Sequence, residues 1–205
     1  MGGSGVSSSE VVVGDVACQG WWLVVDADHG PGRIVAGPFP ERADAAWAAA
    51  SDEEHAEHAL PVYGFRRADG GLNRRPSPQE WTWLAHLGEQ LERLPDDWDA
   101  GLSEDHPLGT LVVEVTAALA EAGLPLHDTT SACGGVCLTP EPALDGVLAS
   151  WRQHDRTSLD LVHGVELDGA VQGVMNRALA DVLALRGFAL APFGEAGGSV
   201  VRWVA

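Results

Sequence analysis

Between Leu108 and Val204 the apolar residues obey two spacings. Leu108, Leu111, Val115, Leu119 and Ala122 recur at steps of three and four, which sets them on one face of a helix, and Gly123 is a natural cap for its end. Val171, Val174, Met175, Ala178, Leu179 and Val182 repeat that spacing, with Asp168 placed to cap the start and Gly187 the end. The remaining apolar runs, at 124–127, 135–139, 146–151, 188–193 and 199–204, have strand length and are bounded by glycine, proline or polar residues. A pair of one-faced helices with five short runs needs a sheet to bury against. Residues 107–205 are therefore expected to form an α-β-β-β-α-β-β domain with an antiparallel sheet. A helix, a glycine cap, a strand, a Gly-Gly pair and a second strand occur in that sequence twice, from Ala118 and again from Ala178. Shared α-β-β grammar accounts for this echo as readily as duplication.

The same rules predict a second, smaller module over residues 20–72. The run 21–25 is a strand, Asp28-His29-Gly30-Pro31-Gly32 a turn, and 33–37 the return strand of a hairpin. Pro38-Phe39-Pro40 breaks the pattern, Ala43 to Ala50 favours helix, and 60–65 is a strand, giving β-β-α-β. Residues 1–19 are expected to be a flexible tail with a short strand at Val11-Val12-Val13. Residues 73–106 are expected to be a helical acidic connector. There Ser77-Pro78-Gln79-Glu80 forms a capping box, and Trp81, Leu84, Leu87, Leu91 and Leu94 follow on one face until Pro95. The fold class expected of the whole chain is α+β in two small modules.

Charge narrows the partners. The 205 residues carry a net charge of −18, and every one of the 12 basic residues is arginine. Phosphate neutralisation needs clustered cations, so direct nucleic-acid binding is not expected. Acidity is densest in residues 76–106, with eight carboxylates against Arg93 alone. That strip is either a solvated linker or a docking strip for a basic protein. Apolar residues make up 45 % of the chain, enough for a core. No window approaches the roughly 20 apolar residues of a membrane span, and the Gly/Ser-rich start has no basic residue or apolar run of a signal peptide. Cys18, Cys133 and Cys137 are too few and odd in number for a disulfide framework. A cytoplasmic, membrane-free protein is the expectation.

Four constellations have chemical potential. His127, Cys133 and Cys137 lie within eleven residues and offer imidazole and thiolate suited to zinc, though Cys137 also reads as a buried apolar residue. His55-Ala56-Glu57 has the His-x-Glu half of a zinc deaminase, but Cys133 follows far downstream and after Ala132, not proline. Trp151, Arg152, His154, Asp155 and Arg156 end a strand and enter a loop; Trp and Arg suit a binding surface, while His154 and Asp155 could pair as a base and its orienting carboxylate. The eight tryptophans include the pairs Trp21/Trp22 and Trp81/Trp83, whose members cannot share a face. Most tryptophans are expected in the core, with an exposed one marking an interaction site. No dinucleotide or P-loop glycine string occurs.

Three resemblances follow. Gly37-Pro38-Phe39 with Arg42 and Ala43 resembles the turn into a helix of SPOR-like domains, although here two strands come first, and no peptidoglycan-binding residue is carried over. The C-terminal element order is similar to the chaperone-like fold of type III secretion chaperones and the YbjN family. That resemblance implies a protein that binds another protein, often as a homodimer, and not an enzyme. The whole chain looks like actinobacterial proteins of unassigned activity. The expected function is a non-catalytic adaptor or chaperone-like protein with no cofactor or metal, whose partner is another protein, basic on charge grounds. Trp151, Arg152, His154, Asp155 and Arg156 are its expected binding residues, and no residue is assigned a catalytic role. The alternatives are a small metal-assisted hydrolase or deaminase, and an acidic nucleic-acid mimic.

Overall fold

A computed structural model describes residues 19–27, 30–51, 58–159, 162–194 and 197–204. The expected tail and its strand, Cys18, His55 and Glu57 lie outside the described residues. The chain is α+β and divides into two compact units, residues 1–82 and 83–205. Residues 73–106 are shared between them, because the boundary falls after Thr82. No helix among the described residues is long and apolar enough to cross a membrane.

The first unit holds β1 (Gln19–Ala27), β2 (Gly30–Phe39), α1 (Arg42–Ser51), β3 (Ala59–Arg66) and β4 (Leu72–Arg74), with the antiparallel sheet order β2-β1-β3-β4. The expected β-β-α-β order gains a strand. β4 is three residues of no clear alternation, and it pairs because Gly64 has no side chain: a Cβ there would lie 2.3 Å from the Asn73 carbonyl oxygen. β2 also runs through Pro38 and Phe39, where a break was expected, because Phe39 pairs with Trp21. Gly37 permits that extension, with φ +123° and an imaginary Cβ 2.9 Å from the Trp21 carbonyl oxygen. α1 presses Ala45 and Ala49, one turn apart, against Trp21 and Leu23. Trp22, on the other sheet face, is also buried and donates its indole N–H to the Gly64 carbonyl at 3.1 Å.

α2 (Pro78–Leu91) starts at the predicted capping box. Glu80 N–H donates to Ser77 Oγ at 3.2 Å, and Ser77 N–H to Glu80 Oε2 at 2.6 Å. The predicted apolar stripe is corrected at its first two positions: Trp81 and Leu84 are exposed, and Gln90 is the helix's buried residue. Gln90 turns inward because its Oε1 accepts the Leu126 N–H at 3.0 Å. Leu91 and Leu94 pack on the second unit's core, as do Trp98 and Leu102 from the stretch after the helix.

The second unit continues with α3 (Pro107–Glu121), β5 (Gly135–Glu141), β6 (Gly146–Arg152), α4 (Asp155–Ser158), α5 (Val165–Leu185), β7 (Phe188–Phe193) and β8 (Gly198–Trp203). The sheet is antiparallel, in the order β5-β6-β8-β7. α3 packs on β5 and β6, α5 packs on β6, β7 and β8, and the two helices touch. Leu111, Val115 and Leu119 of α3 meet Val136, Leu138, Val147, Ala149 and Val201 of the sheet, with Leu179 and Leu183 of α5. Two expectations are corrected here. The run 124–127 is one parallel bridge, Leu126 to Val136, and not a full strand. α5 starts at Val165 after the N-cap Gly164, so Asp168 lies in its first turn and does not cap it. Its buried face is Asn176, Leu179 and Leu183, which leaves Val174 exposed.

Candidate functional site

β5 is an edge strand, and its free edge builds the site. At its start, Val136 N–H donates to the Pro125 carbonyl and Val136 C=O accepts the His127 N–H, each at 2.9 Å. The peptide groups of Val136 therefore point away from β6. Alternation along a strand sends those of Leu138 the same way, two residues on. The 125–127 segment ends before it reaches Leu138, and no other strand flanks β5 there among the described residues. At the far end stands Pro140, which has no N–H to offer.

The other edge of the hairpin has a different arrangement. β8 pairs with β6 from Val147 to Ala149 only. Beyond that, Trp151 N–H donates to the buried Asn176 Oδ1 at 2.7 Å, and Trp151 C=O accepts from the Gln172 side-chain amide. Two side chains of α5 thus replace a missing strand. Nothing among the described residues does this for Leu138.

Leu138 instead borders a cleft of about 280 Å³. Leu94, Pro95 and Val136 make its apolar lining, and Cys137, Thr129 and Thr139 add small polar groups. Arg93, His127 and Arg152 add cationic or ionisable nitrogen. Arg93 donates one N–H to the Leu126 carbonyl at 3.3 Å, and Arg152 lies 3.6 Å from Asp155, a half-exposed pair. His127 Nδ1 is 3.1 Å from the Cys133 carbonyl oxygen. A carbonyl only accepts, so Nδ1 carries the proton and Nε2 is the acceptor of the neutral ring. Burial pushes the Cys137 thiol pKa upward, against the smaller pull of the Arg152 charge. That is the reverse of an activated nucleophile.

A second cleft of about 620 Å³ shares Arg93, Leu94, Pro95 and Thr129 with the first. Its walls carry Glu89, Glu92, Asp96, Asp97 and Asp128. Asp128 has a lowered pKa because Thr130 donates to it from its hydroxyl at 2.6 Å and its N–H at 2.8 Å. The cations around Leu138 thus sit beside a strongly acidic wall.

No protein-family model, curated protein or solved structure matches this chain.

Of the five expected binding residues, Arg152 lines the cleft and Trp151 packs on the core. His154 is the N-cap of α4 and accepts the Arg156 N–H on Nδ1 at 3.1 Å. That bond occupies the nitrogen an orienting carboxylate would need. Asp155 is anchored by its own N–H to the Ala132 carbonyl at 3.0 Å, and Arg156 is exposed beside it. No group of three His, Cys, Asp or Glu side chains stands close enough to hold a metal ion among the described residues. In the first unit, a cleft of about 340 Å³ is bordered by Trp21, Tyr63, Arg75 and Glu80. Its groups are already engaged: Trp21 meets Tyr63 edge-on at 5.4 Å, Arg75 stacks over Phe65, and Glu80 closes the capping box.

Sequence reasoning missed the cleft. Arg93 reads as one cation lost in an acidic run, and Leu138 as an ordinary core residue. The Pro140 within a strand was the available signal, since proline in a sheet marks an edge.

Proposed function

We propose that this protein is a non-catalytic adaptor, chaperone-like in action, that binds an extended segment of another protein by adding it to the free edge of β5. The observation that carries the reading is the outward-facing peptide of Leu138, unpaired among the described residues, beside a cleft with an apolar lining. Strand addition draws affinity from main-chain hydrogen bonds and selectivity from the flanking pockets. The acidic wall and the net charge of −18 favour segments that are neutral or basic along their length. The raised pKa of Cys137 and the engaged Nδ1 of His154 count against a thiol or imidazole reaction at these positions.

The test uses synthetic octapeptides of mixed arginine, valine and leucine content on the full chain. Peptides that bind are expected to shift the Leu138 amide resonance and to slow iodoacetamide alkylation of Cys137. A backbone N-methyl group at the residue facing Leu138 is expected to abolish both effects. Binding that leaves Leu138 and Cys137 unaffected, or that survives N-methylation at every position, overturns the reading.

A further inference from the structure

The edge available at Leu138 is limited at both ends, and the two ends differ. Toward the start of β5, the 125–127 segment already occupies the position beside Val136. A chain lying beside Leu138 cannot run on in that direction without displacing it. Toward the end of β5, Pro140 interrupts donation from the edge but leaves the way open, because no strand flanks it among the described residues. An added segment therefore enters from the Pro140 side and stops near Val136.

Two arginines, Arg93 and Arg152, gather where it stops, next to His127. His127 supplies the backbone bond to Val136, Arg93 holds the Leu126 carbonyl, and Arg152 is the cross-strand partner of Gly135, the residue before Val136. All three line the cleft. A chain end beside Arg93 and Arg152 is favourable as a carboxylate and unfavourable as an ammonium group. Entering at Pro140 and ending at Val136 runs opposite to β5, so the added strand is antiparallel.

We infer that the cleft is a receptor for a free C-terminus: the last residues of a partner protein pair with Leu138, and their terminal carboxylate is held by Arg152, with Arg93 beside it. The inference rests on strand addition at β5 and goes on to fix which part of the partner is bound. Arg93 is shared with the carboxylates of the neighbouring wall, so Arg152 carries most of the discrimination. Its existing pair with Asp155 spans 3.6 Å and is half exposed, a contact of little strength that an incoming carboxylate can replace.

One octapeptide that binds is compared in three forms: free acid, C-terminal amide, and lengthened by two residues past the original end. The acid is expected to bind about tenfold or more tightly than either other form, the range of a charge-assisted hydrogen bond. Arg152→Gln is expected to remove that advantage, so that acid and amide bind the variant equally. Arg152 is exposed, so the variant keeps the fold, and circular dichroism verifies this. Equal binding of the three forms, with the Leu138 shift retained, overturns C-terminal capture and leaves strand addition standing. If no form shifts Leu138, strand addition itself has failed. An acid preference that Arg152→Gln does not reduce overturns the assignment of the carboxylate to Arg152.

Discussion

Asp69 shows how a fully solvated turn can still fix an ionisation state. Its Oδ1 accepts from Arg67 Nε at 3.0 Å and from Gly71 N–H at 2.9 Å, while Oδ2 takes a second guanidinium bond. The Arg67 bonds, then Gly71, hold its pKa at about 2, below the usual value near ~3.9. A depressed folded pKa adds stability that is complete above the unfolded value and is lost as pH falls toward 2. Carbon-13 titration of Asp69 should give a midpoint near the folded value, and Arg67→Ala should move it up toward the unfolded one. A midpoint unchanged by Arg67→Ala would remove the arginine from the account. At this scale the sequence was partly legible. Ser77 and Glu80 formed the capping box their spacing predicts, because both partners lie within one helical turn. The burial of Gln90 and Asn176 was not legible, because each is justified by a backbone group elsewhere in the fold: Leu126 for one, Trp151 for the other.

Elements followed local pattern where they bury one continuous face. α3, β5, β6, β7 and β8 lie close to the predicted runs, since each places its apolar residues in the same core. β4 and the 125–127 bridge departed from prediction because close backbone approach at a glycine decides them, and periodicity does not. At Gly135 an added Cβ would lie 2.5 Å from the His127 nitrogen, so glycine there lets the segment dock on β5. The end of β6 is likewise finished by side chains of α5. Asn176→Ala leaves the Trp151 N–H without its acceptor and should cost about 1–3 kcal/mol. Urea unfolding followed by circular dichroism measures this, and a loss near zero would mean that water takes over the bond. The cleft was illegible for a related reason: Arg93, His127 and Arg152 lie far apart in sequence, and only the β5 edge assembles them.

For the whole molecule, the dominant physical fact is self-repulsion among 30 acidic residues offset by 12 arginines. The screening length shrinks from about 30 Å to about 10 Å as ionic strength rises from 0.01 to 0.1 M. The melting temperature should therefore climb by several degrees over that range, of the order expected for about 1 kcal/mol in a domain of this size. Differential scanning calorimetry in sodium chloride tests this, and a flat response would assign the acidity no role in stability. The affinity of an arginine-rich segment should move the other way with salt.

Pro140 has one more consequence. A bare strand margin is also an invitation to stack copies of the same chain into a fibril. With a missing donor at one end and a docked segment at the other, this margin is too short to template a ladder of its own kind. A margin this short can stay vacant without seeding a ladder of copies.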